Sequence, residues 1–347
     1  MLEIDGSQGE GGGQVLRSAL ALSIVTGQAI HIYNIRAKRP TPGLMAQHLK
    51  SVDAAAAIGV AQVDGATLHS KTISFQPSKI RSGRYKFDIG TAGATTLILQ
   101  TIFLPLSLAS SASSVIITGG THVAWSPCYH YLALHWLPYM HEMGFDVRLS
   151  LDQAGFYPKG GGRISATIRP VRQISPLQLT HRGSIKRIIG VSAIANLPLS
   201  IAERQKHQAL LRLNEYKWNN STLDIKIYIE NLPSQVKGTF LLLMAEFEGG
   251  RCCYFSLGEL GKPAERVADE AVDGLLNFME TDGAIDPFIA DQLLLPLCFA
   301  KTKSVIHPCQ ITQHILTNAA IIRTFIPVHI EIQGEIGSPG SIHIMPM

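Results

Sequence analysis

Apolar residues along the chain follow two periods. QVLRSALALSIVTG, LMAQHLKSVDAAAAIG, ATTLILQTIFLPLSLA and YHYLALHWLPYMHEMG carry them at three- and four-residue spacing and predict helices. AIHIYNI, TISFQP, SVIITGG, DVRLSL and GRISATIRP alternate or are short and β-branched, and predict strands. The order repeats. A first unit (1–80) runs glycine loop, helix, strand, basic loop RAKRPTP, helix, strands; a second (81–174) runs IGTAG loop, helix, strand, THVAWSP loop, helix, strands. A shorter third unit (277–347) runs FIADQLLLPLCFA, KSVIHP, TQHILTNAAIIRTF, VHIEIQG, SIHIMP. Residues 175–276 interrupt the series with strand, helix, three strands and helix, entered through the proline-bearing IRPVRQISPLQL. The expected fold class is α/β: three repeated two-layer units, helices on one face of small sheets, plus one inserted α/β domain.

Composition narrows the class. At 347 residues the chain exceeds one typical domain, and 46% hydrophobic against 16% charged residues fits packed cores and excludes disorder. A net charge of +4 permits an anionic partner without demanding one. Five scattered cysteines without a C-x-x-C predict a reducing compartment, and no signal segment or bilayer-length apolar run is visible. The expectation is a cytoplasmic protein without a membrane partner.

Candidate chemistry sits in the loops. GSQGEGGGQVLRS sets five glycines before a helix, a backbone cradle for an anion, with Arg17 one turn further on. It has neither a Walker ending nor a dinucleotide fingerprint. Glu10 inside an anion loop makes sense if a divalent cation lies between it and phosphates. Arg36, Lys38 and Arg39 occupy the loop before a helix bearing Gln47 and His48, and arginine forks suit phosphate oxygens. Asp291 and Gln292 precede an apolar run, where Asp291 could equally be a helix cap. His314 heads an apolar helix, and three readings compete: a packed histidine, a metal ligand with His307 and Cys309, or a nucleophile. His122, Cys128, His130 and His135 make another loose cluster, but neither cluster has zinc-motif spacing, and no G-x-S-x-G is present.

Taken together, DGSQGEGGGQVLRSAL, RAKRPTPGLMAQHL, IGTAGATTLILQT, GFYPKGGG, ADQLLLP and HILTN resemble the RNA 3'-terminal phosphate cyclase family, in family order across nearly the whole chain. The resemblance implies a thioredoxin-like insert, repeats shared with enolpyruvyl transferases, and ATP-dependent conversion of an RNA 3'-phosphate to a 2',3'-cyclic phosphate. It implies that His314 attacks ATP and becomes adenylylated. It assigns nucleotide binding to Gln100, Phe255, Phe288, Ile289, Ala290, Asp291 and Gln292, with Phe255 stacking on adenine. Gln14, Arg17, Arg36, Arg39 and Gln47 would face ATP phosphates or the RNA end, and Glu10 would hold Mg²⁺ or Mn²⁺. RNA 3'-phosphate ends and ATP are the expected partners, and a homodimer is left open. Two positions depart from the family pattern: Ala154 stands where a basic residue is usual, and His122 where Asp is common. The alternatives are a non-catalytic, RNA-binding ribosome-assembly branch of the family, which lacks the histidine, and an enolpyruvyl transferase-like enzyme.

Overall fold

The computed structural model describes residues 1–218 and 223–346. Its four sheets have four strands each. In the first, β1 (Leu2–Asp5) lies parallel to β2 (Ile30–Tyr33), which pairs antiparallel with β4 (Ile73–Gln76), and β3 (Gln62–Asp64) closes the edge. The second repeats that order with β5 (Arg84–Asp88), β6 (Ser113–Gly119), β8 (Gly162–Ile168) and β7 (Val147–Gln153). The third does so with β9 (Gln178–Leu179), β14 (Ser304–Ile306), β16 (Ser341–Pro346) and β15 (Val328–Gln333).

In the third sheet the first strand is separated from its partner by more than a hundred residues. Gln178 and Leu179 pair with Val305 and Ile306. The intervening chain forms β10 (Ile185–Ala195), α6 (Leu199–Glu215), β11 (Asp224–Asn231), β12 (Gly238–Phe247), β13 (Arg251–Leu257) and α7 (Ala264–Met279), with sheet order β11-β10-β12-β13. The first strand of the third unit thus falls within the stretch that the sequence reading gave to the insert from 175. Two residues of β-pairing are too short to leave a period, so hydrophobic pattern cannot see them.

Each repeat contributes two helices. The first ones are α1 (Gly13–Thr26), α3 (Thr95–Ser107) and α8 (Pro287–Leu297). The second ones are α2 (Ala46–Gly59), the stretch formed by α4 (Tyr129–Tyr131), a π-helical turn Leu132–Trp136 and α5 (Leu137–Glu142), and α9 (Gln313–Phe325). α1 and α3 are buried almost all round, which explains why both read as nearly continuous apolar runs rather than stripes. α1 packs against α2, α3 and α9, so it forms the centre of the helical layer. The expected α/β class, with helices flanking small sheets, is what the chain adopts. Among the described residues no helix is long and apolar enough to cross a membrane.

Candidate active site

The site is built where α1, α8 and α9 meet. Thr312 caps α9, its hydroxyl accepting from the Ile315 N–H at 3.2 Å. Ile315, Ala319 and Ile322 face the core, which turns His314 and Asn318, one turn apart, toward α1 and α8. His314 keeps nearly half of its side chain exposed (46%) at the positive end of the helix dipole.

Hydrogen bonds orient the ring. Gln14 Nε2 donates to Asp291 Oδ1 at 2.6 Å, which fixes the amide and turns Gln14 Oε1 onto His314 Nδ1, also at 2.6 Å. An amide oxygen only accepts, so Nδ1 must carry the proton and the lone pair of a neutral ring sits on Nε2. That nitrogen lies 2.9 Å from Glu10 Oε2, toward the glycine loop. Asn318 Nδ2 donates to Asp291 O and Oδ1 at 3.0 and 3.1 Å, and Ser18 Oγ donates to Asn318 Oδ1. Burial pushes the Asp291 carboxyl up, opposed by His314, Asn318, Gln14 and Arg17. The cap of α8 is Asp286, not Asp291, which lies in the helix interior facing α1.

Around this centre the basic loop folds against the glycine loop. Lys38 Nζ donates to Gly9 O at 2.8 Å and Arg39 reaches Glu10 at 3.3 Å. Arg36 donates to Thr41 O and Gly43 O within its own loop. Burial, and then Arg39, holds its pKa below the usual arginine value. Arg17, half-buried, is pulled down to about 10 by desolvation, against the pull of Asp291, and stays charged at neutral pH. Gly13 leaves room for its neighbours: a Cβ there would stand 2.4 Å from His48 Nε2 and 2.8 Å from Arg17. Gln47 Oε1 accepts from the Ala94 N–H at the start of α3, tying the first unit to the second.

A cavity of about 90 Å³ opens beside Gln14 and Arg17, lined by Gln100, Asp291, Gln292 and Asn318 and walled by Phe103, Leu104, Trp136 and Met140. Gln100 Nε2 donates to Gln292 Oε1 at 2.5 Å across it. Phe288 is exposed at the start of α8 with Tyr254 edge-on at 6.3 Å, and Phe255 lies half-buried on β13, 6.4 Å from Tyr131. Ile289 and Ala290 are wholly buried, so their side chains pack α8 rather than face an opening.

The other histidine groupings have their own partners. His307 meets Asp282, and His122 bonds to His130 and Thr121, stacked between Phe156 and Phe240. Ala154 is buried and exchanges hydrogen bonds with Pro233 and Ser234 of the insert. No group of three His, Cys, Asp or Glu among the described residues could hold a metal by itself. Glu10 offers one carboxylate, which suits an ion of the Mg²⁺ kind that takes its other ligands from phosphates and water.

Sequence reasoning missed Ser18 and Asn318, although each stands four residues after a site residue on the same helix face, Gln14 and His314. It also missed Asp286. That carboxylate is fully buried and accepts from Tyr131 Oη, Phe288 N, Ile289 N, His135 Nε2 and Cys253 N. An Asp-Pro pair before the apolar run was its signal.

Comparison with known proteins identifies the family. The family model described as RNA 3'-terminal phosphate cyclase matches residues 8–332. A protein of that name from Gloeothece citriformis is 40% identical over 344 residues, 96% of each chain. Another from Methanopyrus kandleri is 38% identical over 100% of this chain and 99% of its own. A third, from Archaeoglobus fulgidus, is 40% identical over 96% of this chain and 98% of its own. The matches run through the glycine loop, the insert and the His314 helix alike, and the chain belongs to the RNA 3'-terminal phosphate cyclase family.

Proposed function

We propose that this protein converts an RNA 3'-terminal phosphate to a 2',3'-cyclic phosphodiester at the expense of ATP, with His314 as the nucleophile. The observation that carries the reading is the chain Asp291–Gln14–His314, which protonates Nδ1 and leaves Nε2 toward the glycine loop. His314 Nε2 attacks the α-phosphate of ATP and pyrophosphate departs, giving a phosphoramidate. The RNA 3'-phosphate oxygen takes AMP from the histidine, and the ribose 2'-hydroxyl then attacks the activated phosphate and expels AMP.

The residues divide the work. Gln14 and Asp291 hold the ring in its tautomer, while Arg17, Arg36 and Arg39 offset charge on the reacting phosphates. Gln47 would help to hold the RNA end. The cavity beside Gln100 and Gln292, with Phe288 and Phe255 at its approaches, takes the nucleoside. Glu10 is the residue that would hold Mg²⁺ or Mn²⁺, an ion that lowers the charge on phosphate oxygens when bound. In the ligand-free arrangement Glu10 Oε2 faces His314 Nε2, a contact that needs a proton between the two, so attack requires both that Glu10 moves aside and that this proton leaves the ring. Five free, buried cysteines support the cytoplasm as the place of action.

The test is incubation with α-labelled ATP and Mg²⁺ or Mn²⁺. Wild-type protein should carry acid-labile label, and His314→Asn should lose it while keeping its fold by circular dichroism. Label at wild-type level on the variant would remove His314 from the mechanism.

A further inference from the structure

Trp125 and Tyr157 are the two most prominent aromatic rings on the surface. Trp125 is fully exposed and Tyr157 is 80% exposed. Scattered exposed apolar residues are ordinary, but these two are not scattered. His122 N donates to Gly155 O at 3.0 Å and His122 bridges to Phe156, so the loop after β6 and the loop between β7 and β8 run side by side. Phe156 turns inward onto His122 and its neighbour Tyr157 turns out. Trp125 stands three residues beyond that bridge, with a left-handed backbone at φ 62°. A bulky residue in that region costs about 1 kcal/mol or more, and full exposure returns no packing for it.

The two loops also pack against the 91–94 loop, which is tied to the first unit. Val123 packs on Ala94 and Leu97 at the start of α3, and Gly160 lies against Thr91 and Ala92. Ala94 N donates to Gln47, whose neighbour His48 touches Gly13 beside Arg17. Packing contacts therefore link the glycine loop, through Gln47 and the 91–94 loop, to the two loops that carry the rings, and exposed Lys159 follows Tyr157 by two residues.

We propose that Trp125 and Tyr157 form a stacking platform for the unpaired bases that precede the 3'-phosphate of the RNA. The inference rests on the cyclase reading for the identity of the strand. Flat aromatic faces beside a cation fit single-stranded nucleic acid, because every base has a π-face and the backbone between bases is anionic. Such stacking is indifferent to base identity, so the platform would select unpaired ends rather than a sequence.

The experiment compares wild type, Trp125→Ala, Tyr157→Ala and Trp125→Phe. A fluorescent single-stranded RNA of about ten nucleotides ending in a 3'-phosphate is titrated by anisotropy, and KM for its cyclisation is measured beside KM for a nucleoside 3'-monophosphate. Each alanine variant should bind the strand about five- to a hundred-fold more weakly, the range of one lost base–aromatic stack. KM should rise by the same factor for the strand and stay put for the monophosphate, while Trp125→Phe stays close to wild type. Self-adenylylation on ATP alone, which involves no base of the RNA, reports that each variant is folded. Unchanged strand binding in both alanine variants would overturn the platform, as would an equal loss for strand and monophosphate. Wild-type protein that binds the strand through these rings yet forms no cyclic end would instead overturn the cyclase reading and leave the platform standing.

Discussion

His314 shows how little a residue's type says before its partners are known. Three readings fitted it in the sequence, and the partners that bear on them come from residues some three hundred positions away: Gln14 at one ring nitrogen, Glu10 at the other. His48 makes the same point about charge. Its Nδ1 is buried without a hydrogen-bond partner among the described residues, and burial, followed by Arg17 and Arg36, drives its pKa down to about 3. A histidine in the unfolded chain takes its proton near pH 6.5. Between about 6.5 and 3 the unfolded state therefore binds more protons than the folded one, so stability is complete above that window and falls as pH drops through it. Replacing His48 with Asn should flatten the decline in urea-derived stability between pH 6.5 and 4, by up to about 1.4 kcal/mol per pH unit. His122, also held below its usual value by burial, should keep part of the slope. Parallel pH curves for variant and wild type would mean that His48 is protonated as easily in the fold as outside it.

At the scale of elements, the apolar pattern revealed the helices and most strands, as a regular buried face or, in α1, α3 and β12, as a nearly unbroken apolar run. What it could not reveal is which helix end is held by what. β9 is two residues long and has no pattern of its own. Asp291, read as either ligand or cap, turned out to lie inside α8, while the cap is Asp286, whose five acceptor contacts come from three separate parts of the chain. Only the contacts from the Phe288 and Ile289 N–H groups are local, so no local signal could have disclosed the others. Asp286→Ala should leave His135 and the Cys253 N–H buried without an acceptor and cost about 3–5 kcal/mol, the range for breaking a buried pair. Asp286→Asn retains an oxygen for the helix cap and should cost less. Chemical denaturation of both variants checks this, and a loss near 1 kcal/mol for the alanine variant would reduce Asp286 to an ordinary cap.

For the whole molecule the decisive feature is strand β12, GTFLLLMAEF, which reads as one apolar run because both of its faces are covered. Leu241, Leu243 and Ala245 face α6 and α7 in the core of the insert, while Phe240, Leu242 and Met244 join the core of the repeated units. Phe240 stacks on His122 at 4.6 Å, and Ala154 bonds to the insert where a basic side chain would meet a buried position. An insert whose sheet is half of another core should not melt by itself. The three tryptophans allow a direct test, since Trp218 reports on the insert and Trp136 on the second unit, with Trp125 replaced by Phe in both cases. Variants retaining only Trp136 or only Trp218 should unfold in urea with the same midpoint and slope, as one cooperative unit does. Phe240→Ala, which empties a large buried site between the two cores, should lower both midpoints together by the equivalent of about 3–5 kcal/mol. If Trp218 reports an earlier transition, and Phe240→Ala moves that one alone, the insert is an autonomous domain and the repeated units fold without it.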